Sequence, residues 1–147
     1  MDIVALYDIY TAHPNVQTDS RKIKEGYLYF ALKGSNFDGN QFAEQALAAG
    51  AAYAIVDDAC YAHNERCIVV NDVLATLQQL ALHHRKQFAI PFIAITGTNG
   101  KTTTKELVYK VLSASFTTYA TEVNLNNHIG VPLTILKIGR DAEMAII

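Results

Sequence analysis

From Asp2 to Tyr10 the apolar side chains fall at Ile3, Leu6, Tyr7 and Tyr10, the spacing of one helical face, and Pro14 marks the stop. The run Tyr27-Leu28-Tyr29-Phe30-Ala31-Leu32 has no such period. Continuous and rich in aromatic residues, it predicts a strand closed by the turn Lys33-Gly34-Ser35. Helical spacing returns at Phe42, Ala43, Ala46 and Leu47, and Gly50 stands where a left-handed cap ends a helix. Tyr53–Val56 and Cys67–Val70 predict two more strands. Asn71 or Asp72 then caps a helix whose stripe is Val73, Leu77, Leu80, Ala81 and His84, expected to run to about Gln87.

Pro91 breaks this pattern, and His83–Ile90 reads as the junction between two units. Residues 1–88 alternate helices and strands over enough chain for a small α/β layer. Residues 89–147 predict a buried strand at Phe92–Ile95, a helix near 101–114, a strand near 116–120, and a polar-led segment near 127–138. Leu107, Val108, Val111 and Leu112 supply that helix's apolar stripe. Glu143–Ile147 resembles a buried strand that has just begun. The stretch from Pro91 onward is about 57 residues, whereas a complete nucleotide-binding α/β domain usually needs more than about 100, so the second domain is expected to be cut short.

The strand at Phe92–Ile95 runs into Thr96-Gly97-Thr98-Asn99-Gly100-Lys101-Thr102-Thr103, and this turn carries the chemistry. Gly97 and Gly100 lack a Cβ, so the backbone can turn tightly and bring its amides to phosphate oxygens. The helix that follows adds the positive end of its dipole. Lys101 is placed to reach the β and γ phosphates of a nucleotide, and the Thr102 hydroxyl to ligate Mg²⁺. Ile95 stands where the usual pattern has its first glycine, so the turn is a compact variant, G-x-x-G-K-T.

Composition narrows the ligand. Half the residues are apolar and the net charge is −2, which describes a globular chain with no basic run to follow a nucleic-acid backbone. No apolar stretch approaches the roughly 20 residues of a membrane span, and the start of the chain lacks the basic residues of a secretory signal. A cytoplasmic protein without nucleic-acid or membrane partners is expected. Cys60 and Cys67 fit neither a zinc site nor a disulfide framework and read as free thiols, with Cys67 packed in a strand. His13, His63, His83 and His84 lack partners at metal-ligand spacing, and the eight tyrosines read as packing.

Three stretches together are similar to the Mur ligases. Thr18-Asp19-Ser20-Arg21 with Gly26–Gly34, Phe37–Phe42 and Ala46–Ala51 resembles their N-terminal domain. Gly97–Thr102 resembles their ATP loop, which is likewise the compact variant. Asn124-Leu125-Asn126-Asn127-His128-Ile129-Gly130-Val131-Pro132 is most like the branch that adds D-alanyl-D-alanine to UDP-N-acetylmuramoyl-tripeptide.

The resemblance implies an α/β fold: a small N-terminal domain that binds the UDP-sugar peptide, followed by the start of a P-loop domain. It implies an ATP- and Mg²⁺-dependent ligase of peptidoglycan precursor synthesis that works through an acyl phosphate, with a monomer as the expected state. By the same resemblance Gly97, Thr98, Asn99, Gly100, Lys101, Thr102 and Thr103 hold ATP, with Lys101 catalytic and Thr102 on the metal. Ser20, Arg21, Asn40, Asn124, Asn126, Asn127 and His128 contact the substrate. On residue chemistry alone, Asp19, Ser20 and Arg21 read equally as a turn with a surface ion pair, and the asparagines as a polar loop with a helix cap. Alternatives of related chemistry are a non-catalytic UDP-muropeptide-binding module, or a ligase adding diaminopimelate or lysine. The acidic metal ligand and the lid domain of the family have no counterpart in these residues, so the chain alone is expected not to ligate.

Overall fold

A computed structural model describes residues 2–122 and 125–147. The chain forms two compact units, Met1–His83 and His84–Ile147.

In the first unit, helix α1 (Ile3–Ala12) precedes strand β1 (Val16–Gln17), and β2 (Leu28–Phe30), β5 (Tyr53–Val56) and β6 (Cys67–Val69) complete a parallel sheet in the order β1-β2-β5-β6. Between β2 and β5 lie a two-stranded antiparallel hairpin, β3 (Lys33–Gly34) with β4 (Phe37–Asp38), and helix α2 (Ala43–Ala48). Helix α3 (Val73–Arg85) follows β6. All three residues of β2 are fully buried, which is why its sequence is a continuous apolar run and not an alternating one. Tyr29 and Ala31 pack in one cluster with Ala43, Ala46, Leu47, Ala54 and Val56, and Cys67 packs against its edge. The Tyr29 hydroxyl inside the core donates to the Gly39 carbonyl at 2.9 Å, and burial pushes its pKa up to about 12.

Short aspartate-headed turns set the corners of this unit. Asp19, Asp38 and Asp58 each accept a hydrogen bond from the backbone N–H two residues on and each begins a single 3₁₀ turn. Of the two candidate caps for α3, Asp72 is the one used: its carboxylate accepts from the Ala75 N–H at 2.7 Å. Helix α2 closes in paired bonds, Gly50 N–H to the Leu47 carbonyl and Ala51 N–H to the Ala46 carbonyl, as its sequence predicts.

In the second unit, β7 (Phe92–Ile93), β9 (Met144–Ile146) and β8 (Thr118–Ala120) form a parallel sheet in the order β7-β9-β8. Helix α4 (Lys101–Leu112) connects β7 to β8, and α5 (Gly130–Leu136) lies between β8 and β9. Ile138, Ala142 and Ala145 form its core with Phe88, Ile90, Phe92 and Tyr119 around them. His84 is buried here, its Nε2–H donating to the Ile138 carbonyl at 2.9 Å and its ring edge-on to Phe88. The strand expected at Glu143–Ile147 forms as β9, Met144–Ile146, with Ala145 and Ile146 buried and Glu143 exposed.

Several expectations need correction. Lys33-Gly34 does not simply end a strand, because it pairs with Phe37-Asp38. Helix α3 stops at Arg85: Gln87 and Phe88 donate to carbonyls three residues back, which tightens the last turn. The stripe on α4 is helical but only half covered: Val108 and Leu112 are half-buried, while Leu107 is 60% and Val111 73% exposed.

Asp57 is the polar keystone of the first unit. Its carboxylate receives Lys33 Nζ at 2.8 Å, Asn40 Nδ2 at 2.9 Å and the Val73 N–H at the start of α3. Burial alone would raise its pKa, yet the bonds from Lys33, Asn40 and Val73 outweigh that and lower it. A lowered pKa means that this contribution to stability is complete above the ordinary carboxylate range and is lost as pH falls through the folded-state value. Asp57→Ala leaves the buried Asn40 amide short of a partner. It is expected to cost about 2 kcal/mol and to lower the unfolding midpoint by about 5 °C at neutral pH, less in acid. An unchanged midpoint in calorimetry at pH 7 would contradict the assignment.

Candidate nucleotide-phosphate site

The phosphate-type turn springs from the carboxyl end of β7. Beyond the assigned strand the ladder continues, with Ile147 N–H donating to Ile93 O and Ile95 N–H to Ile147 O, both at 2.8 Å. The turn is thus anchored on a paired strand up to Ile95. Ligands of open parallel sheets bind outside this carboxyl edge. Gly97 and Gly100 take φ of +148° and +77°, backbone states that L side chains rarely adopt. Gly100 is the N-cap of α4 and no side chain caps the helix. The helical ladder begins with Thr104 N–H to Gly100 O, which leaves the amides of Lys101, Thr102 and Thr103 directed at the turn. An uncapped helix start of this kind is an anion seat.

Lys101 is half-buried, and its ammonium donates to the Gly97 carbonyl across the turn. That carbonyl is a neutral acceptor for a full positive charge, so an anionic oxygen arriving at the turn would be the stronger partner. A cleft of about 420 Å³ opens beside the turn. Gly97, Lys101, Thr102, Glu122, Asn126 and Val131 are among the residues that line it. Thr98, Asn99, Gly100 and Thr103 belong to the same turn and are exposed, although they do not line this cleft.

The remaining expected site residues are placed unevenly. Asn126 is exposed and faces the cleft. Asn127 acts as a cap, its Oδ1 accepting from the Ile129 and Gly130 N–H groups at 3.1 and 2.7 Å. His128 is exposed on the same turn, and Asn124 lies outside the described residues. In the first unit, Ser20 is half-buried on the turn Ser20–Lys22. Arg21 is 83% exposed and makes a two-pronged pair with Asp19, both bonds 2.9 Å, which holds the Asp19 carboxyl down at about 2. That fork is the surface ion pair that residue chemistry offered beside phosphate binding. Asn40 is 1% exposed, and its amide is committed to Asp38 and Asp57. It holds the β4 corner against Asp57, so a direct substrate contact is not what its side chain makes here.

One residue beside the turn escaped the sequence reading. Lys105 sits one helical turn after Lys101, lines the same cleft, and its ammonium donates to the Thr121 carbonyl. The four-residue spacing from Lys101 was the available signal.

A parallel-sheet unit with a glycine corner, an uncapped helix start and an adjacent lysine defines an α/β protein with a turn suited to an anionic ligand. Comparison with known proteins gives the same class and narrows it. Residues 14–85 match the model of the Mur ligase family catalytic domain, and residues 95–147 that of the Mur ligase middle domain. The chain belongs to the Mur ligase family. It is 41% identical over 134 residues to the UDP-N-acetylmuramoyl-tripeptide--D-alanyl-D-alanine ligase of Bacillus subtilis, and 39% identical over 132 residues to that of Escherichia coli. Each alignment takes in 90% of this chain and 29% of the relative, so the chain spans under a third of their length. Among solved structures, the MurF ligase of Thermotoga maritima in complex with ADP superposes with a TM-score of 0.83 at 32% identity, covering 95% of this chain and 32% of that one. MurF of Acinetobacter baumannii gives 0.83 at 34% identity, covering 94% and 34%.

Two glycines separate conformational from steric demands. A Cβ on Gly100 meets nothing within 4 Å, whereas one on Gly130 lies 2.5 Å from the Leu125 backbone. Gly100→Ala is expected to cost about 1 kcal/mol, from its left-handed backbone alone. Gly130→Ala is expected to cost about 2–3 kcal/mol, because two backbones must part. Denaturant unfolding of both variants checks the order, and a reversed order would contradict the site geometry.

Proposed function

We propose that this chain supplies the UDP-sugar-peptide-binding part, residues 1–88, and the ATP-phosphate-binding part, residues 89–147, of an ATP-dependent ligase. The reaction joins D-alanyl-D-alanine to UDP-N-acetylmuramoyl-tripeptide in cytoplasmic peptidoglycan precursor synthesis, with the protein acting as a monomer. One observation carries the reading: the uncapped start of α4, Lys101 and Asn126 share one cleft, in a chain 41% identical over nine-tenths of its length to a ligase of that name. No helix among the described residues is long and apolar enough to cross a membrane, which is consistent with a soluble precursor as substrate.

The chemistry explains the demand on the cleft. A carboxylate is a poor acyl donor at neutral pH. Its oxygen bonds to the γ-phosphorus of ATP as the bond from phosphorus to the β–γ bridging oxygen breaks, and ADP leaves. The dipeptide amine then adds to the acyl carbon, gives up a proton, and expels inorganic phosphate. Two anions must meet in the first step, so catalysis there is largely charge neutralisation. In this chain the amides of Lys101–Thr103 and the Lys101 ammonium, released from Gly97, do that work. Ser20 and Arg21 would hold the UDP part, with Arg21 exchanging Asp19 for a phosphate.

No cluster of three acidic, histidine or cysteine residues among the described residues could hold a metal by itself. Mg²⁺ at a nucleotide needs fewer protein ligands, because phosphates and water complete its shell. The Thr102 hydroxyl on the cleft wall fits that role, and the ion would add to the neutralisation already described.

Calorimetric titration with ATP and Mg²⁺ tests the reading. Lys101→Ala is expected to weaken ATP by about 2 kcal/mol, roughly 30-fold in Kd, with the unfolding midpoint unchanged. Equal affinity of the variant and the parent chain would sink it.

A further inference from the structure

Lys105 is a charged side chain that α4 turns inward, one helical turn beyond Lys101. Its side chain is 12% exposed, against 49% for its neighbour Glu106, whose carboxylate stands 3.1 Å from the Lys105 ammonium. Its other partner is the Thr121 carbonyl. Desolvating an ammonium is costly, and a leucine or methionine would fill such a slot without that cost, so the charge has a use here. Lys105 also lines two cavities, the phosphate cleft and a second hollow of about 570 Å³ beside β8, as do Thr121 and Glu122.

The partner it grips is well chosen for transmission. Thr121 follows β8 directly, and both its N–H and its hydroxyl donate to the Ile146 carbonyl, at 2.9 and 3.3 Å. Glu122, the next residue, faces the phosphate cleft. The turn a few residues on is closed by Asn127 onto the Ile129 and Gly130 amides. At the other end, Lys105 lies four residues after Lys101 and so on the same face of one rigid helix. Anything that seats the first turn of α4 also sets the position of the Lys105 ammonium, and through it that of Thr121.

We propose that Lys105 is a positioning residue that couples the phosphate turn to the asparagine-bearing turn: phosphate seated on the start of α4 is felt at Leu125–Gly130 through the charge-assisted bond from Lys105 to Thr121. This rests on the nucleotide reading above. It makes order at the substrate-side turn conditional on nucleotide.

Amide hydrogen exchange of the 147-residue chain, with and without ATP and Mg²⁺, tests it. In the parent chain ATP is expected to slow exchange several-fold both at Gly97–Thr104 and at Leu125–Gly130, with the Gly130 amide as reporter. In Lys105→Met the slowing is expected at Gly97–Thr104 only, and Lys105→Arg is expected to restore both. If Lys105→Met fails to fold, Lys105→Gln, which keeps a neutral donor of similar length, takes its place with the same expectation. A merely structural lysine would alter exchange equally with and without ATP. Slowing at Leu125–Gly130 that survives in the variant overturns the proposal, as does its absence from a parent chain that protects Gly97–Thr104. No protection at either segment of the parent overturns the nucleotide reading itself.

Discussion

The corner between β7 and α4 is the constraint on which the second unit depends. Two positive-φ glycines within four residues let a half-buried parallel strand, less covered than its apolar sequence suggests, turn directly into a helix whose first amides no side chain covers. Any side-chain cap at position 100 would fill the seat that the corner creates. The same economy governs Lys101, which rests on the Gly97 carbonyl of its own turn and can exchange that neutral partner for an anion without crossing the cleft. The strand behind the turn is pinned by β9 through Ile147, so the seat is rigid on one side and open on the other.

The first unit solves a different problem, how to keep polar groups inside a thin α/β layer. Asp57, Asn40 and Lys33 form one network that ties β4, the end of β5 and the start of α3. Each buried polar side-chain atom among the described residues has a partner. Such a network stabilises only while it is complete, because removing one member strands the others. The exposed Asp19–Arg21 fork is the opposite case. It is worth little to stability, and for that reason its arginine can be diverted to another anion at small cost.

Legibility in the sequence followed the length and the locality of each signal. Helices α1, α3 and α4 and the buried strands β2 and β5 were readable because period or continuous apolarity extends over several residues. Strand β1 has two residues and exists only because β2 pairs with it, and the β3–β4 hairpin is defined by a partner that no local pattern announces. The glycine turn and the helix start behind it were readable, since both lie in consecutive residues. Asn40 was not, because its neighbour Asp57 is seventeen positions away and the choice between ligand contact and buried brace is made by that contact. The α4 stripe shows a related limit of local pattern: periodicity identifies an apolar face, and only tertiary structure says how much of it is covered.

The central claim, that the Gly97–Thr102 corner is built to seat a nucleotide phosphate, is tested most directly by a crystal structure of the chain grown with ADP and Mg²⁺. The account expects the β-phosphate within hydrogen-bond distance of the Gly100, Lys101 and Thr102 amides, with the Lys101 ammonium moved from the Gly97 carbonyl onto phosphate. A nucleotide bound elsewhere, or Lys101 still on Gly97 beside a bound phosphate, would contradict it.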